Sequence, residues 1–321
     1  MPRTVPRMSL DAYTVRRPSR SRFIDVRGLR YHVLEWGDAA FTSAERPPLV
    51  MLHGWMDVAA SFQFVVDELH RDRHVIALDW RGFGLTQSPA ADTYWMPDYL
   101  GDLDAALDQL VFSSGAAEQK IDLLGHSMGG NVVMLYAGVR PERVRRLVNL
   151  EGFGMPRTRP TQAPKRLLQW LDELKNPALM RDYASVAEVA ERLRKTNPLL
   201  SPQRAAWLAP HWSRQRPAVD GQPGRWEILG DPAHKRINPH LYQRDEVLEC
   251  WKLITAKLMW VEGDQTDVAK WWGTRFTKEE FHERLSVVAN VEKHVLGPAG
   301  HMLHHDQPAA LAARLEAFLA A

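Results

Sequence analysis

The sequence predicts an α/β protein with a mostly parallel sheet and helices on both faces. Short apolar runs that read as buried strands alternate with helical segments, first over residues 48–150 and again from residue 258 onwards. One of these strands, residues 122–124, enters the turn Gly-His-Ser-Met-Gly at 125–129 and passes directly into helical residues. Strands that alternate with helices at this spacing form βαβ units, whose strands pair in parallel.

The predicted strands divide into an exposed hairpin and a set of buried strands. The first two are joined by the two-residue turn Arg27-Gly28, which is typical of a hairpin. The third, residues 48–52, is wholly apolar, as expected for a strand buried on both faces. In chain order the predicted strands cover residues 22–26, 30–36, 48–52, 74–78, 122–124, 144–150, 258–261 and 291–296.

The predicted helices carry apolar residues at helical spacing or begin at a capping residue. Such spacing predicts helices over residues 62–69, 99–110, 131–139 and 311–319, and a capping box at 277–280 starts another. The alternation stops after Glu151. From there to about Ile254 we find no convincing buried strand, only helical pieces with their own start signals at Ser185 and Ser201. We expect a helical insertion over the strand ends rather than a separate second domain.

This pattern divides the chain into three parts. Residues 1–20 form a solvated basic tail, and six arginines lie within residues 1–22. Residues 21–154 and 255–321 form the core, and residues 155–254 form the insertion. No apolar segment follows the first arginines, so a secretory signal is not expected, whereas a transit peptide is an alternative. No apolar run reaches membrane-spanning length.

Composition excludes several classes of partner. A net charge of +2 over 321 residues gives no reason to expect nucleic acid or an anionic membrane. Cys250 is the only cysteine, so no intrachain disulfide can form, and a reducing compartment such as the cytoplasm is expected. The sequence does not predict an oligomeric state.

Ser127 stands where a nucleophile would be exposed. A serine on a sharp strand-to-helix turn is held in a strained conformation that lifts its hydroxyl clear of the sheet. Gly125 and Gly129 avoid collisions with the neighbouring strand and helix. The helix that follows points its first N–H groups at the serine, where an oxyanion would form.

A serine hydroxyl needs a base, and the loop after the last predicted strand supplies His301. This loop ends on the same sheet edge as Ser127, so His301 is the candidate base. His304 and His305 also suggest a metal, but they lack companion ligands at a recognised spacing. We therefore expect both to be exposed residues before the last helix, and we expect no metal and no cofactor.

An oxyanion hole requires two converging backbone N–H groups. One is expected from Met128, the residue after the nucleophile, and the other from Trp55 in the loop after the third strand. We expect His53 only to shape that loop and His126 to be a residue of the turn without a catalytic role. Asp79 and Arg81 are likewise expected to shape a loop near the rim of the pocket.

Taken together, these residues resemble the α/β-hydrolase family with a cap domain. His53-Gly54-Trp55, residues 79–84, the turn at 125–129, Gly300-His301 and Asp306 with Pro308 follow the family order from about residue 22 onwards. Within the family, residues 53–62 look most like the serine hydrolase-like proteins. The resemblance implies the α/β-hydrolase fold: an eight-stranded, mostly parallel sheet with a helical cap inserted after the sixth strand as a lid.

The third member of the triad departs from the family pattern. The family usually carries an acid three residues beyond a glycine in the loop after the returning strand. Here that glycine is Gly263 and the third residue on is Thr266, while Asp264 and Asp267 flank the position without filling it.

A subset of the family, including haloalkane dehalogenases, instead has an acid at the end of the strand after the nucleophile helix. Glu151 stands there, 24 residues beyond Ser127. We therefore favour Glu151 as the acid, with the two aspartates as alternatives. A structural role for Glu151, pairing with an arginine such as Arg145, is the competing interpretation.

The nucleophile also limits the chemistry. Relatives that open epoxides or displace halide use an aspartate, which forms an alkyl ester that can be hydrolysed, whereas a serine naturally forms an acyl-enzyme. Ser127 thus predicts hydrolysis of an ester-like acyl bond in a small apolar substrate. Hydrolysis of a carbon–carbon bond in a diketone and small-molecule sensing with little turnover are alternatives, because the triad alone does not separate them.

Overall fold

The computed structural model describes residues 12–114, 119–218 and 224–320. In this part of the chain eleven strands form two sheets. In chain order they are β1 (Arg20–Val26), β2 (Leu29–Trp36), β3 (Leu49–Leu52), β4 (Val75–Leu78), β5 (Ile121–His126), β6 (Val144–Leu150), β7 (Asp182–Tyr183), β8 (Ser213–Arg216), β9 (Arg225–Ile228), β10 (Lys257–Gly263) and β11 (Val291–Leu296).

The main sheet has the eight strands that the resemblance implied, in the order β1-β2-β4-β3-β5-β6-β10-β11. Only β2 pairs antiparallel, with β1 on one side and β4 on the other, and the remaining neighbours are parallel. In the register His126 lies opposite Leu150, which lies opposite Val261. The carboxyl ends of β5, β6 and β10 therefore meet at one edge of the sheet.

Helices cover both faces of this sheet, as predicted. In chain order the α-helices are α1 (Gln63–Val66), α2 (Met96–Leu110), α3 (Met128–Val139), α4 (Ala163–Lys175), α5 (Val186–Thr196), α6 (Pro202–Trp212), α7 (Arg244–Lys252), α8 (Ala269–Trp272), α9 (Lys278–Leu285), α10 (Leu303–Asp306) and α11 (Pro308–Ala320). Buried side chains of α2, α3, α7 and α9 pack on one face, and those of α1 and α11 pack on the other. Within the described ranges no helix is long and apolar enough to cross a membrane.

Two local predictions differ from the structure. The helix expected over residues 62–69 is a 3₁₀ turn, Ala59–Phe62, followed by the four-residue α1. The tail expected over residues 1–20 is docked in its described part: the backbone N–H groups of Arg16 and Arg17 donate to Asp67 Oδ1 at 3.1 and 2.7 Å. Arg3 and Arg7 lie outside the described residues.

The insertion between β6 and β10 is not purely helical. Besides α4 to α7 it contains a three-stranded antiparallel sheet in the order β7-β9-β8. The sequence did not predict these strands because each is only two to four residues long, and half of Ser213–Arg216 and half of Arg225–Ile228 is charged. Its last helix, α7, belongs to the core by its contacts: Trp251 is 2% exposed, and a methyl group on Gly138 of α3 would lie 2.1 Å from the Cys250 carbonyl oxygen.

Candidate active site

The turn between β5 and α3 holds Ser127 in an unusual backbone conformation. Ser127 has φ +51° and ψ −113°, a region that residues other than glycine rarely adopt. Its N–H donates to the Leu150 carbonyl at 2.8 Å, which ties the turn to the neighbouring strand. A methyl group on Gly125 or Gly129 would lie 2.3 Å from a backbone oxygen, so larger residues do not fit there. The turn is a nucleophile elbow in its geometry.

His301 lies against the elbow serine. Its Nε2 is 3.0 Å from Ser127 Oγ, within hydrogen-bond distance. The imidazole is partly exposed, with 27% of its side chain accessible, and the Trp271 ring packs against it with a centroid separation of 4.5 Å. A base in contact with the hydroxyl on one side and with solvent on the other can take a proton and pass it on.

Glu151 contacts the other nitrogen of the same imidazole. Its Oε2 is 2.6 Å from His301 Nδ1, and its Oε1 accepts a 2.6 Å hydrogen bond from the Gly263 N–H. The carboxylate is fully buried, and the backbone has φ +56° directly after β6. The Glu151 N–H donates to Val261 in β10 at 3.1 Å. The side chain is thus held by the ends of two neighbouring strands and oriented towards His301.

The two alternative acids have other partners. Asp264 Oδ1 accepts from the Ala299 N–H at 2.9 Å and so supports the loop before His301. Asp267 Oδ1 accepts from the Ala269 N–H at 3.0 Å, at the start of α8. Arg145, the suggested partner of Glu151, instead forms a bidentate pair with Asp122 at 2.7 and 2.9 Å.

Two backbone N–H groups in the segments next to the elbow have no hydrogen-bond partner within the described part of the chain. They belong to Trp55 and to Met128, the first residue of α3. The loop that carries Trp55 approaches the elbow closely, because a methyl group on Gly54 would lie 3.0 Å from Ser127 Cβ. Free N–H groups beside the hydroxyl are what an oxyanion hole requires.

His53 and His126, which the sequence placed near the elbow without a catalytic role, form structural hydrogen bonds. His53 Nδ1 donates to the Gly54 carbonyl at 2.7 Å and its Nε2 accepts from the Trp80 N–H at 2.9 Å. His126 Nε2 donates to the His301 carbonyl at 2.8 Å, and burial holds the pKa of His126 well below its usual value.

Asp79 and Arg81 lie in the same region. Asp79 accepts from the Ala59 N–H at 2.7 Å, while Arg81 forms a buried ion pair with Asp102. Both residues are less than 10% exposed. They hold the loops in place and lie inside the fold rather than at a pocket rim.

A comparison with known families fits this geometry. The profile of the alpha/beta hydrolase fold matches residues 47–308, which is most of the chain. The chain belongs to the alpha/beta hydrolase fold family.

Similar alpha/beta hydrolases differ in their activities. A serine hydrolase-like protein of Danio rerio is 30% identical over 181 residues, covering 54% of this chain and 52% of its own. A 2-hydroxy-6-oxo-2,4-heptadienoate hydrolase of Pseudomonas putida is 36% identical over 111 residues, covering 34% of this chain and 38% of its own. The chain therefore spans about half or less of these curated relatives.

Among solved structures, the thioesterase domain from the curacin biosynthetic pathway superposes with a TM-score of 0.77 at 24% identity. The match covers 94% of this chain and 99% of that domain, and it shows the shared fold.

A large cavity in this alpha/beta hydrolase is lined by Trp55, by Met128 at the start of α3 and by Trp271, whose ring packs against His301. Its volume is about 1020 Å³, and it lies between the core and the insertion. Most of its wall is apolar or aromatic, which suits an organic substrate. Its lining includes Trp55, Trp95, Met128, Met155, Leu241, Tyr242, Trp271 and Trp272.

His234 of the insertion fixes this segment to the core. Its ring lies between Phe83 and Tyr94, with centroid separations of 3.7 and 3.6 Å. Its Nε2 donates to the Arg81 carbonyl at 3.1 Å, and burial lowers the pKa of His234 to about 3. No sequence pattern indicated this contact, because the three rings come from distant segments.

Two asparagines clamp the chain where it leaves Glu151. Asn149 Oδ1 accepts from the Gly152 N–H at 2.8 Å, and Asn131 Oδ1 accepts from the Gly154 N–H at 2.9 Å. Between them Phe153 is 2% exposed and packs edge-on against Trp260 and Phe281. The segment that leads into the insertion is therefore fixed for its first three residues.

The prediction that His304 and His305 are exposed is wrong. They are 0% and 2% exposed, because α10 turns both imidazoles inward against Phe62 and Phe64. Asp57 lies with them, 2% exposed. Sequence reasoning missed this cluster because Asp57 stands some 250 residues earlier in the chain.

Proposed function

We propose that this alpha/beta hydrolase is a serine hydrolase that cleaves an ester-like acyl bond through an acyl-enzyme. The observation that carries the proposal is the continuous contact from Ser127 Oγ to His301 Nε2 at 3.0 Å and from His301 Nδ1 to Glu151 at 2.6 Å. Nucleophile, base and orienting acid are the three groups that acyl transfer by serine needs.

In the proposed reaction Ser127 Oγ attacks the acyl carbon while His301 Nε2 takes its proton. The negative charge that develops on the carbonyl oxygen is stabilised by the N–H groups of Trp55 and Met128. His301 then returns the proton to the leaving alcohol, and the acyl group stays on Ser127. A water molecule then attacks the acyl carbon while His301 Nε2 takes its proton. His301 returns that proton to Ser127 Oγ as the acyl–oxygen bond breaks and the acid is released. Glu151 keeps Nδ1 protonated and stabilises the imidazolium throughout.

We further propose that the insertion is a cap that selects a small, apolar substrate. Support comes from the apolar and aromatic lining of the cavity, to which Met155, His240 and Leu241 of the insertion contribute. Because α7 packs in the core, the cap is better bounded before residue 242 than at residue 254. The chain would thus keep its chemistry in the core and its selectivity in the cap.

Hydrolysis of a carbon–carbon bond is a second candidate. The Pseudomonas putida relative with 36% identity is a 2-hydroxy-6-oxo-2,4-heptadienoate hydrolase. This similarity is a reason to test a vinylogous diketone as a substrate. The same serine, histidine and acid would serve both reactions, which differ in whether the leaving group is an oxygen or a carbon.

A multi-turnover assay separates these functions. We expect steady turnover of short-chain p-nitrophenyl esters, with release of many equivalents of p-nitrophenol per protein molecule. Turnover of a vinylogous diketone but not of the esters would favour the second candidate. A burst of one equivalent followed by negligible turnover of both would favour small-molecule sensing and contradict the enzyme proposal.

A further inference from the structure

A buried group of metal-ligand side chains lies behind the candidate base. Asp57, His304 and His305 each offer one ligand atom, and these atoms all lie within 4.8 Å of one another. Throughout the described ranges this is the only such group of three or more acidic, histidine or cysteine side chains. All three residues are at least 98% buried. None of them has a role in the proposed reaction.

The polar atoms of this group are not satisfied by protein. Asp57 Oδ2 and both ring nitrogens of His304 and His305 have no hydrogen-bond partner among the described residues. His304 Nε2 and Asp57 Oδ2 are 3.5 Å apart, which is too long for a strong hydrogen bond. Leaving a buried polar atom without a partner destabilises the folded state. A ligand that accepts an electron pair from Asp57 Oδ2 and from one ring nitrogen of each histidine would give three of these five atoms a partner.

The other oxygen of Asp57 is already held by protein. Asp57 Oδ1 accepts from Ser61 Oγ and from Trp212 Nε1, the latter at 3.2 Å. These contacts orient the carboxylate and leave Oδ2 directed at the histidines. A carboxylate fixed by neighbouring donors is the usual support of a metal ligand.

We propose that Asp57, His304 and His305 bind one divalent transition-metal ion of the zinc type. Two imidazole nitrogens and one carboxylate oxygen are ligands that Zn²⁺ takes at about 2.0–2.2 Å. Two ligand atoms on a tetrahedral ion at that distance are about 3.4 Å apart, which matches the 3.5 Å between His304 Nε2 and Asp57 Oδ2. The charge of the ion also offsets the buried carboxylate.

The ion would join the loop of Trp55, the candidate oxyanion donor, to the loop of His301, the candidate base. Asp57 lies two residues after Trp55, and His304 lies three residues after His301. Bridging these positions fixes the distance between the oxyanion donor and the base without a contact to substrate. Because the ligands are closed off from solvent, the role of the ion is structural, and it enters during folding or a local opening.

Metal content of the untagged full-length protein tests the site. The protein is produced with Zn²⁺ in the medium, or refolded from urea with Zn²⁺, then dialysed against a chelator and analysed by mass spectrometry for metal. We expect about one equivalent of zinc. Co²⁺ in its place should give the intense visible absorption of a tetrahedral N/O site, a readout independent of hydrolase activity.

His305→Gln is the informative variant, because the His305 ring has no hydrogen bond to lose. It should retain at least tenfold less zinc than the wild type, whereas His70→Gln, at an exposed histidine, should retain as much. Asp57→Asn gives a second test of the same loss. Wild-type protein without zinc after both preparations would overturn the proposal, whether or not the variants fold. Unchanged zinc in His305→Gln would overturn it as well, by placing the metal elsewhere.

Discussion

Replacing Glu151 with glutamine removes one charge and keeps the shape of the side chain. The structure fixes how the new amide must sit. Glu151 Oε1 accepts from the Gly263 N–H at 2.6 Å, so the glutamine oxygen has to stay on that side and its NH₂ group has to face His301 Nδ1. An NH₂ group donates, and Nδ1 must then accept. The imidazole is forced into the tautomer that carries its proton on Nε2.

In that tautomer Nε2 donates to Ser127 Oγ instead of accepting its proton, so the base is lost. The reference magnitude for an acid-to-amide change that traps the wrong tautomer is a loss of about 10⁴-fold in kcat, or about 5.4 kcal/mol of barrier. The assay is steady-state hydrolysis of a p-nitrophenyl ester. Wild-type and variant melting temperatures show that the comparison is between folded proteins.

Two matched variants control for loss of charge alone. Asp264→Asn and Asp267→Asn each remove one carboxylate near the same loops, but their partners are the N–H groups of Ala299 and Ala269, not His301. We expect each to lose less than about tenfold in kcat. A Glu151→Gln protein within tenfold of the wild type, or an Asp264→Asn protein as impaired as Glu151→Gln is expected to be, would refute the reasoning and leave the roles of Ser127 and His301 untouched.

Three further predictions concern the nucleophile, the cap and its attachment. Ser127→Ala should fold normally and lose on the order of 10⁴-fold or more in kcat, and a fluorophosphonate probe should label only the wild type; labelling of the variant would rule Ser127 out. Replacing residues 159–241 with a short linker should leave a folded core with altered substrate preference, because Thr158 Oγ1 and the Tyr242 carbonyl lie 2.7 Å apart, and failure to fold would assign the segment to the core. His234 has its folded-state pKa lowered to about 3, so below the usual value of about 6.5 the unfolded state binds more protons and stability falls as pH falls. Between pH 7.5 and 5.5 the unfolding free energy of the wild type, measured by urea titration, should therefore fall by about 1 kcal/mol more than that of His234→Gln. An equal fall in both proteins would contradict the lowered pKa of His234.

Much of the fold follows from the sequence because buried parallel strands leave a strong signal. Residues 48–52 and 75–78 are continuous apolar runs, and the structure has β3 and β4 there. The strands of the insertion left no such signal. Arg225–Ile228 is a strand because it pairs with Ser213–Arg216 and Asp182–Tyr183, and pairing between short segments that lie far apart in the chain does not show in local periodicity.

In the candidate site, too, some residues could be predicted from the sequence and others could not. Ser127 and His301 could be predicted because their neighbours in sequence determine their surroundings. The burial of His304 and His305 could not, because it depends on Asp57, Phe62 and Phe64 from a distant segment. The preference for Glu151 over two aspartates rested on family resemblance, since three carboxylates stand near the same edge of the sheet and spacing alone does not rank them.

The hydrogen bonds of Asn149 and Asn131 after Glu151 keep movements of the insertion from reaching the core, although the chain runs directly from one to the other. With the Gly152 and Gly154 N–H groups held by Asn149 and Asn131, and Phe153 inserted among core rings, a displacement of the insertion is absorbed beyond Gly154. The Glu151 carboxylate, three residues before Gly154, therefore keeps its position at the end of β6. The insertion can accordingly be lengthened, shortened or exchanged, during evolution or in the laboratory, without a change in the positions of Ser127, His301 and Glu151.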